Sequence, residues 1–76
     1  MAAEYAKDHV RVNAISPGEI DTPILSAKTQ EVVDTAVPLR RLGSPAEIAD
    51  SAYFLSCDES SYITGTEILV NGGQHL

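Results

Sequence analysis

The chain has 76 residues, a formal charge of −6 and only five basic residues, which form no patch. That balance argues against nucleic acid or an anionic membrane as a principal partner. At this length a chain buries only about 60% of the surface its unfolded form exposes, so any core is thin.

Three Tyr, one Phe and no Trp supply few large side chains, and a single cysteine excludes an internal disulfide. No apolar run reaches the roughly 20 residues of a membrane span, and the start lacks the basic and apolar regions of a signal peptide. The expected compartment is the cytoplasm.

Ala2 to Lys7 is rich in helix formers but shorter than the about 12 residues an isolated helix needs. It reads as the last turns of a longer helix. Tyr5 and Lys7 do not make a catalytic pair, because side chains two apart on a helix diverge. His9 sits at the turn that follows, where a histidine near a helix carboxyl end is a favourable charge. No metal cluster is expected, since His9 and His75 lie at opposite ends of the chain and Cys57 is near neither. Cys57 stands beside Asp58 and Glu59, which disfavour a thiolate, and reads as an inert structural thiol.

Val10 to Ile15 alternates faces and is rich in β-branched residues, which predicts a strand. Pro17 is expected to stop it, while Gly18, lacking a Cβ, lets a ligand approach the main chain. In an open parallel sheet ligands bind at the carboxyl ends of strands, so the loop running on to Pro23 is the candidate site. Residues 24–42 follow, with weak helical periodicity around Gln30 to Ala36 and no strong core pattern. They predict a substrate lid.

Gly43-Ser44-Pro45-Ala46-Glu47 is the clearest local signal: Ser44 as N-cap, Pro45 at the first helical position and Glu47 closing a capping box. The helix that follows carries Ile48, Ala49, Ala52, Tyr53 and Leu55 as an apolar stripe, to pack on a sheet or another subunit. A polar break over Cys57 to Ser61 and a turn over Tyr62 to Gly65 lead into a second strand, Thr66 to Asn71. Gly72-Gly73 reads as a flexible terminus in preference to a point of close backbone approach to a neighbour. Strand, helix and strand with a long crossover imply an α/β unit with two parallel strands joined in the right-handed sense. Such a pair leaves an apolar face and open edges, so residues 1–76 read as a single partial domain.

Three blocks then carry a family resemblance. Val10-Arg11-Val12-Asn13-Ala14-Ile15-Ser16-Pro17-Gly18-Glu19-Ile20-Asp21-Thr22-Pro23 is the first. Val37-Pro38-Leu39-Arg40-Arg41-Leu42-Gly43-Ser44-Pro45-Ala46-Glu47-Ile48-Ala49 is the second, and Tyr62-Ile63-Thr64-Gly65-Thr66-Glu67-Ile68-Leu69-Val70-Asn71-Gly72-Gly73 the third. Together, in order and spacing, they resemble the carboxyl-terminal third of short-chain dehydrogenase/reductases over nearly the whole chain.

The resemblance implies the terminal strand-helix-strand portion of a Rossmann-type doubly wound parallel sheet. It implies an NAD(P)-dependent oxidoreductase acting on a small-molecule alcohol or carbonyl substrate. In that family a Pro-Gly-x-Ile-x-Thr loop lies against the nicotinamide end of NAD or NADP, which falls here on Pro17, Gly18, Ile20 and Thr22. Main-chain groups near Ile20 would hold the carboxamide, and the Thr22 hydroxyl would donate to the carboxamide or a phosphate oxygen. By the same resemblance residues 24–42 contain the variable lid, and the last helix and strand form the contacts of a homo-oligomer.

The family's upstream features are not in this sequence: the glycine-rich turn for the pyrophosphate, the residue that sorts NAD from NADP, and the catalytic Ser with Tyr-x-x-x-Lys. The chain therefore reads as catalytically incomplete alone, a fragment of an enzyme. Two other readings stand beside this one. One is a non-catalytic truncated chain that persists only by association with partner subunits; the other is a free-standing nucleotide-binding module.

Overall fold

The structure is a computed structural model and describes residues 1–23 and 27–74. Residues 24–26 of the expected lid, and His75, lie outside the described residues. In chain order, helix α1 (Ala2–Tyr5) precedes strand β1 (Ala14–Pro17), helices α2 (Ala27–Ala36) and α3 (Pro45–Ser56), and strand β2 (Glu67–Val70). The two strands pair in parallel, Ala14 opposite Glu67 and Pro17 opposite Val70, as the long crossover demands. Helix α3 packs against both of them.

The first strand differs from its expected span. It begins at Ala14; Val10 turns back to donate to the Tyr5 C=O at 3.3 Å, and Val12 and Asn13 are fastened to the approach to β2 by other means. The Val12 N–H donates to Thr64 Oγ1 at 3.1 Å, and its C=O accepts from the Gly65 N–H at 2.8 Å. Asn13 donates through Nδ2 to the Ile63 C=O and accepts the Thr66 N–H on Oδ1, both at 3.1 Å. The ladder is as long as its partner, and Gly65, at φ 76°, turns the chain just before β2 starts.

Pro17 is where the strand stops, as expected, and it is the last paired residue rather than a residue beyond the strand. Ala14 and Gly18 donate to Thr66 and Val70, at 2.9 and 3.0 Å. Alternate residues of a parallel ladder donate to the same neighbour, so the nitrogen of Pro17 faces the open edge, where a missing N–H costs nothing.

The described part of the lid segment, residues 27–42, is not without structure or core. It contains the ten-residue α2, and Val33 and Val37, 2% and 3% exposed, are the buried apolar side chains among the described residues. Val37 is covered by Gly72, whose φ is 62° and where an added Cβ would lie 2.9 Å from Val37 Cγ1. The Leu39 N–H donates to the Gly72 C=O at 3.0 Å. Gly72 is thus a point of close approach, the less favoured of the two readings of the glycine pair, rather than part of a flexible terminus.

Helix α3 starts where the capping box places it. The Glu47 N–H donates to Ser44 Oγ at 3.2 Å, and the Ser44 N–H to Glu47 Oε1 at 2.9 Å. Its half-buried face is narrower than the predicted stripe: Ile48, Ser51 and Leu55 are half-buried, while Ala49, Ala52 and Tyr53 are exposed, Tyr53 by 74%.

Past the other end of α3, Arg11 gathers carbonyls of the segment that leads on to β2. Its Nη1 donates to the C=O of Ser60 (2.9 Å) and Ile63 (3.1 Å), and Nη2 to that of Cys57 (3.4 Å). Ser60, itself buried, completes the knot by donating from Oγ to the Phe54 C=O at 2.7 Å. Among the described residues no helix is long and apolar enough to cross a membrane.

The Cα radius of gyration is 15.0 Å, whereas a self-contained domain of this length has about 11 Å. The molecule is drawn out, and much of its apolar surface, including the 59%-exposed Leu69 of β2, has no cover from this chain.

Candidate functional site

Beyond β1 the chain runs as an irregular loop between two fixed walls. One wall is the end of β2. Gly18 lies so close to it that a Cβ there would come within 2.7 Å of Asn71 Cβ and 2.9 Å of Asn71 Cα. The room created by the missing side chain is therefore filled by Asn71, where a ligand was expected. Asn71 is itself held, donating from Nδ2 to the Gln74 C=O at 3.0 Å and accepting the Gly73 N–H at 3.1 Å.

The other wall is the turn before α3. The Gly43 N–H donates to the Glu19 C=O at 2.9 Å, and the Asp21 N–H to the Gly43 C=O at 2.8 Å, making a parallel bridge between Ile20 and Gly43. In a parallel bridge the residues on either side supply the bonds, so the Ile20 N–H and C=O point away from Gly43. Among the described residues nothing takes either group. An N–H and a C=O of one residue, side by side, match the two halves of a primary carboxamide.

The four predicted residues do not share one cavity. Ile20 lines a cleft of about 440 Å³ with Leu39, Arg41, Glu47 and the stretch from Leu69 to Gly73. Pro17 and Gly18 line a neighbouring one of about 340 Å³ with Ser16, Leu69, Asn71 and Gln74. Thr22 is half-buried and lines neither, and among the described residues no partner takes its hydroxyl. Tyr5 and Lys7 are exposed, one at the end of α1 and one in the turn after it. Among the described residues no three His, Cys, Asp or Glu side chains gather as a metal site requires.

Three residues outside the predicted set shape the site: Gly43, Arg41 and Glu47. Arg41 grips the Glu47 carboxylate at two points, Nη1 to Oε1 at 2.8 Å and Nη2 to Oε2 at 3.0 Å. Those bonds, then the Ser44 N–H, hold the Glu47 carboxyl down to about 2, and Glu47 in turn raises the Arg41 guanidinium. The capping box was the local signal for Glu47. Nothing local announces the bridge from Gly43 to Ile20, which joins two segments far apart in the chain.

The profile of the enoyl-(acyl carrier protein) reductase family matches residues 1–75. Protein FixR of Bradyrhizobium diazoefficiens is 50% identical over 76 residues, covering the whole of this chain and 27% of FixR. A 3-oxoacyl-[acyl-carrier protein] reductase of Brucella melitensis superposes with a TM-score of 0.91 at 40% identity, covering 99% of this chain and 29% of that one. A second structure of such a reductase from the same organism, with bound NAD, gives a TM-score of 0.88 at 44% identity, covering 99% and 28%. The chain spans less than a third of the length of each of these three proteins.

Proposed function

Since the chain belongs to the short-chain dehydrogenase/reductase family, we propose that it is the carboxyl-terminal segment of an NAD(P)-dependent oxidoreductase acting on an alcohol or carbonyl group. The observation that carries the reading is the Ile20 main chain, whose N–H and C=O are turned off the Gly43 bridge and left without partners among the described residues. Those two groups hold the nicotinamide carboxamide, the N–H donating to its oxygen and the C=O accepting from its nitrogen. Pro17 and Gly18 set the position of the loop against β2, and the Thr22 hydroxyl donates to the carboxamide or a phosphate oxygen. The cofactor, NAD or NADP, supplies or accepts the hydride when bound; this segment orients the ring. Residues 24–42 include the lid over the substrate, and α3 and β2 form the surface of a homo-oligomer.

The test is the intact mass of the natural polypeptide together with an NADH or NADPH titration. The expected result is a polypeptide of the relatives' length that binds one of the two saturably and carries Tyr-x-x-x-Lys upstream. A natural polypeptide without that motif, showing no saturable binding, would refute the proposal.

A second reading, a non-catalytic chain stabilised only by partner subunits, is favoured by the drawn-out shape and the small buried core. It expects the natural polypeptide to be no longer than this chain and to sediment only as a complex.

A further inference from the structure

Arg41 and Glu47 lie outside the loop that would hold the cofactor, yet the chain of contacts from them to Ile20 is unbroken. Glu47 Oε1 accepts from both Arg41 and the Ser44 N–H, and Arg41 Nη1 also donates to the Leu42 C=O at 3.1 Å. Residues 41–44 are thereby folded into one fixed turn with Gly43 inside it. A Cβ on Gly43 would lie 2.8 Å from Ile20 Cδ1 and 4.0 Å from Glu47 Oε1, so Gly43 fills the gap between the two side chains with hydrogen alone. Through its N–H and C=O the same glycine brackets Ile20. The side chains of Arg41 and Glu47 are 56% and 41% exposed, and an ion pair so open to water contributes little to stability by itself. Its two-point geometry and its share in the cap give it a positional task instead.

We infer that the Arg41–Glu47 pair is a positioning device for the cofactor's nicotinamide end, fixing the turn whose Gly43 aims the Ile20 N–H and C=O. The inference rests on reading this loop as the nicotinamide site. Neither side chain touches the reacting atoms.

The test uses the complete enzyme and calorimetric dissociation constants for two ligands: the cofactor it takes, NADH or NADPH, and ADP-ribose or its 2′-phosphate, which lacks nicotinamide. Their ratio isolates the contacts to the nicotinamide, Ile20's among them. Glu47→Ala and Arg41→Met are expected to cut the preference for the full cofactor by about fivefold to tenfold, the worth of a hydrogen bond, while ADP-ribose binding stays unchanged. Glu47→Gln, which keeps an acceptor for Ser44 and Arg41, is expected to restore most of it.

A merely structural role would weaken both ligands alike, and that result, or an unaltered preference, overturns the positioning role. Should Glu47→Ala not fold, Arg41→Met decides, because it leaves the capping box in place. A parent enzyme that binds the full cofactor no better than ADP-ribose overturns instead the reading of the loop itself.

Discussion

Gly18→Ala tests the packing that holds the loop. The new methyl would sit 2.7 Å from Asn71 Cβ and 2.9 Å from Asn71 Cα, whereas carbon atoms rest at about 3.5–4.0 Å. One of them must move by about 1 Å. Asn71 resists, being tied to Gly73 and Gln74, and a shift of Gly18 strains its bond to the Val70 C=O. Overpacking of this kind costs about 1–3 kcal/mol and a strained hydrogen bond about 1 kcal/mol. Gly18 does not sit at positive φ, so alanine recovers about 0.4–1 kcal/mol through the unfolded chain.

The net loss is about 2 kcal/mol, which lowers a urea midpoint by about 1 M at a slope of about 2 kcal/mol/M. Urea denaturation of the complete polypeptide, followed by circular dichroism, reads it. Gly43→Ala is the internal control, since the atom it meets is the far end of the Ile20 side chain, which can rotate aside. A midpoint unchanged in Gly18→Ala, or one lowered more by Gly43→Ala, would refute the reasoning.

Arg11→Met keeps the aliphatic stem and removes the guanidinium bonds to the Cys57, Ser60 and Ile63 carbonyls; a loss of about 2–3 kcal/mol is expected in the same assay. The Glu47 carboxyl is held at about 2 against an ordinary 4.5, so the small stability its exposed bonds add is complete above that ordinary value. That contribution fades as pH falls toward 2, so the parent's urea midpoint should drop across that window more than that of Glu47→Gln. Thr22→Ala in the complete enzyme should weaken cofactor binding by about 1–3 kcal/mol, read by calorimetry; unchanged binding would remove Thr22 from the site.

What the sequence disclosed depended on how far apart the interacting residues lie. The capping box was legible because Ser44, Pro45 and Glu47 stand within one turn of helix. The parallel pairing was legible because a crossover of that length leaves little choice. The limits of β1 were not, since a ladder is as long as its partner, and the turn at Gly65 sets where that partner begins. The spacing of Val33, Ala36 and Val37 was a usable helical signal, but that Val33 and Val37 are buried depends on distant cover, in part Gly72. At the site, residue types pointed to the loop, while the orientation of Ile20 depends on Gly43, which no local pattern in the loop reveals.

Helix α3 is moored at its two ends by unlike chemistry. At its start the hold is a carboxylate, which protons can neutralise; at its finish it is a guanidinium on neutral carbonyls, with nothing that titrates in acid. Acid therefore acts on the helix unevenly: it loosens the grip of Arg41 on Glu47 beside the loop, where the Ser44 hydroxyl still accepts the Glu47 N–H, and leaves the Arg11 bonds at the far end untouched.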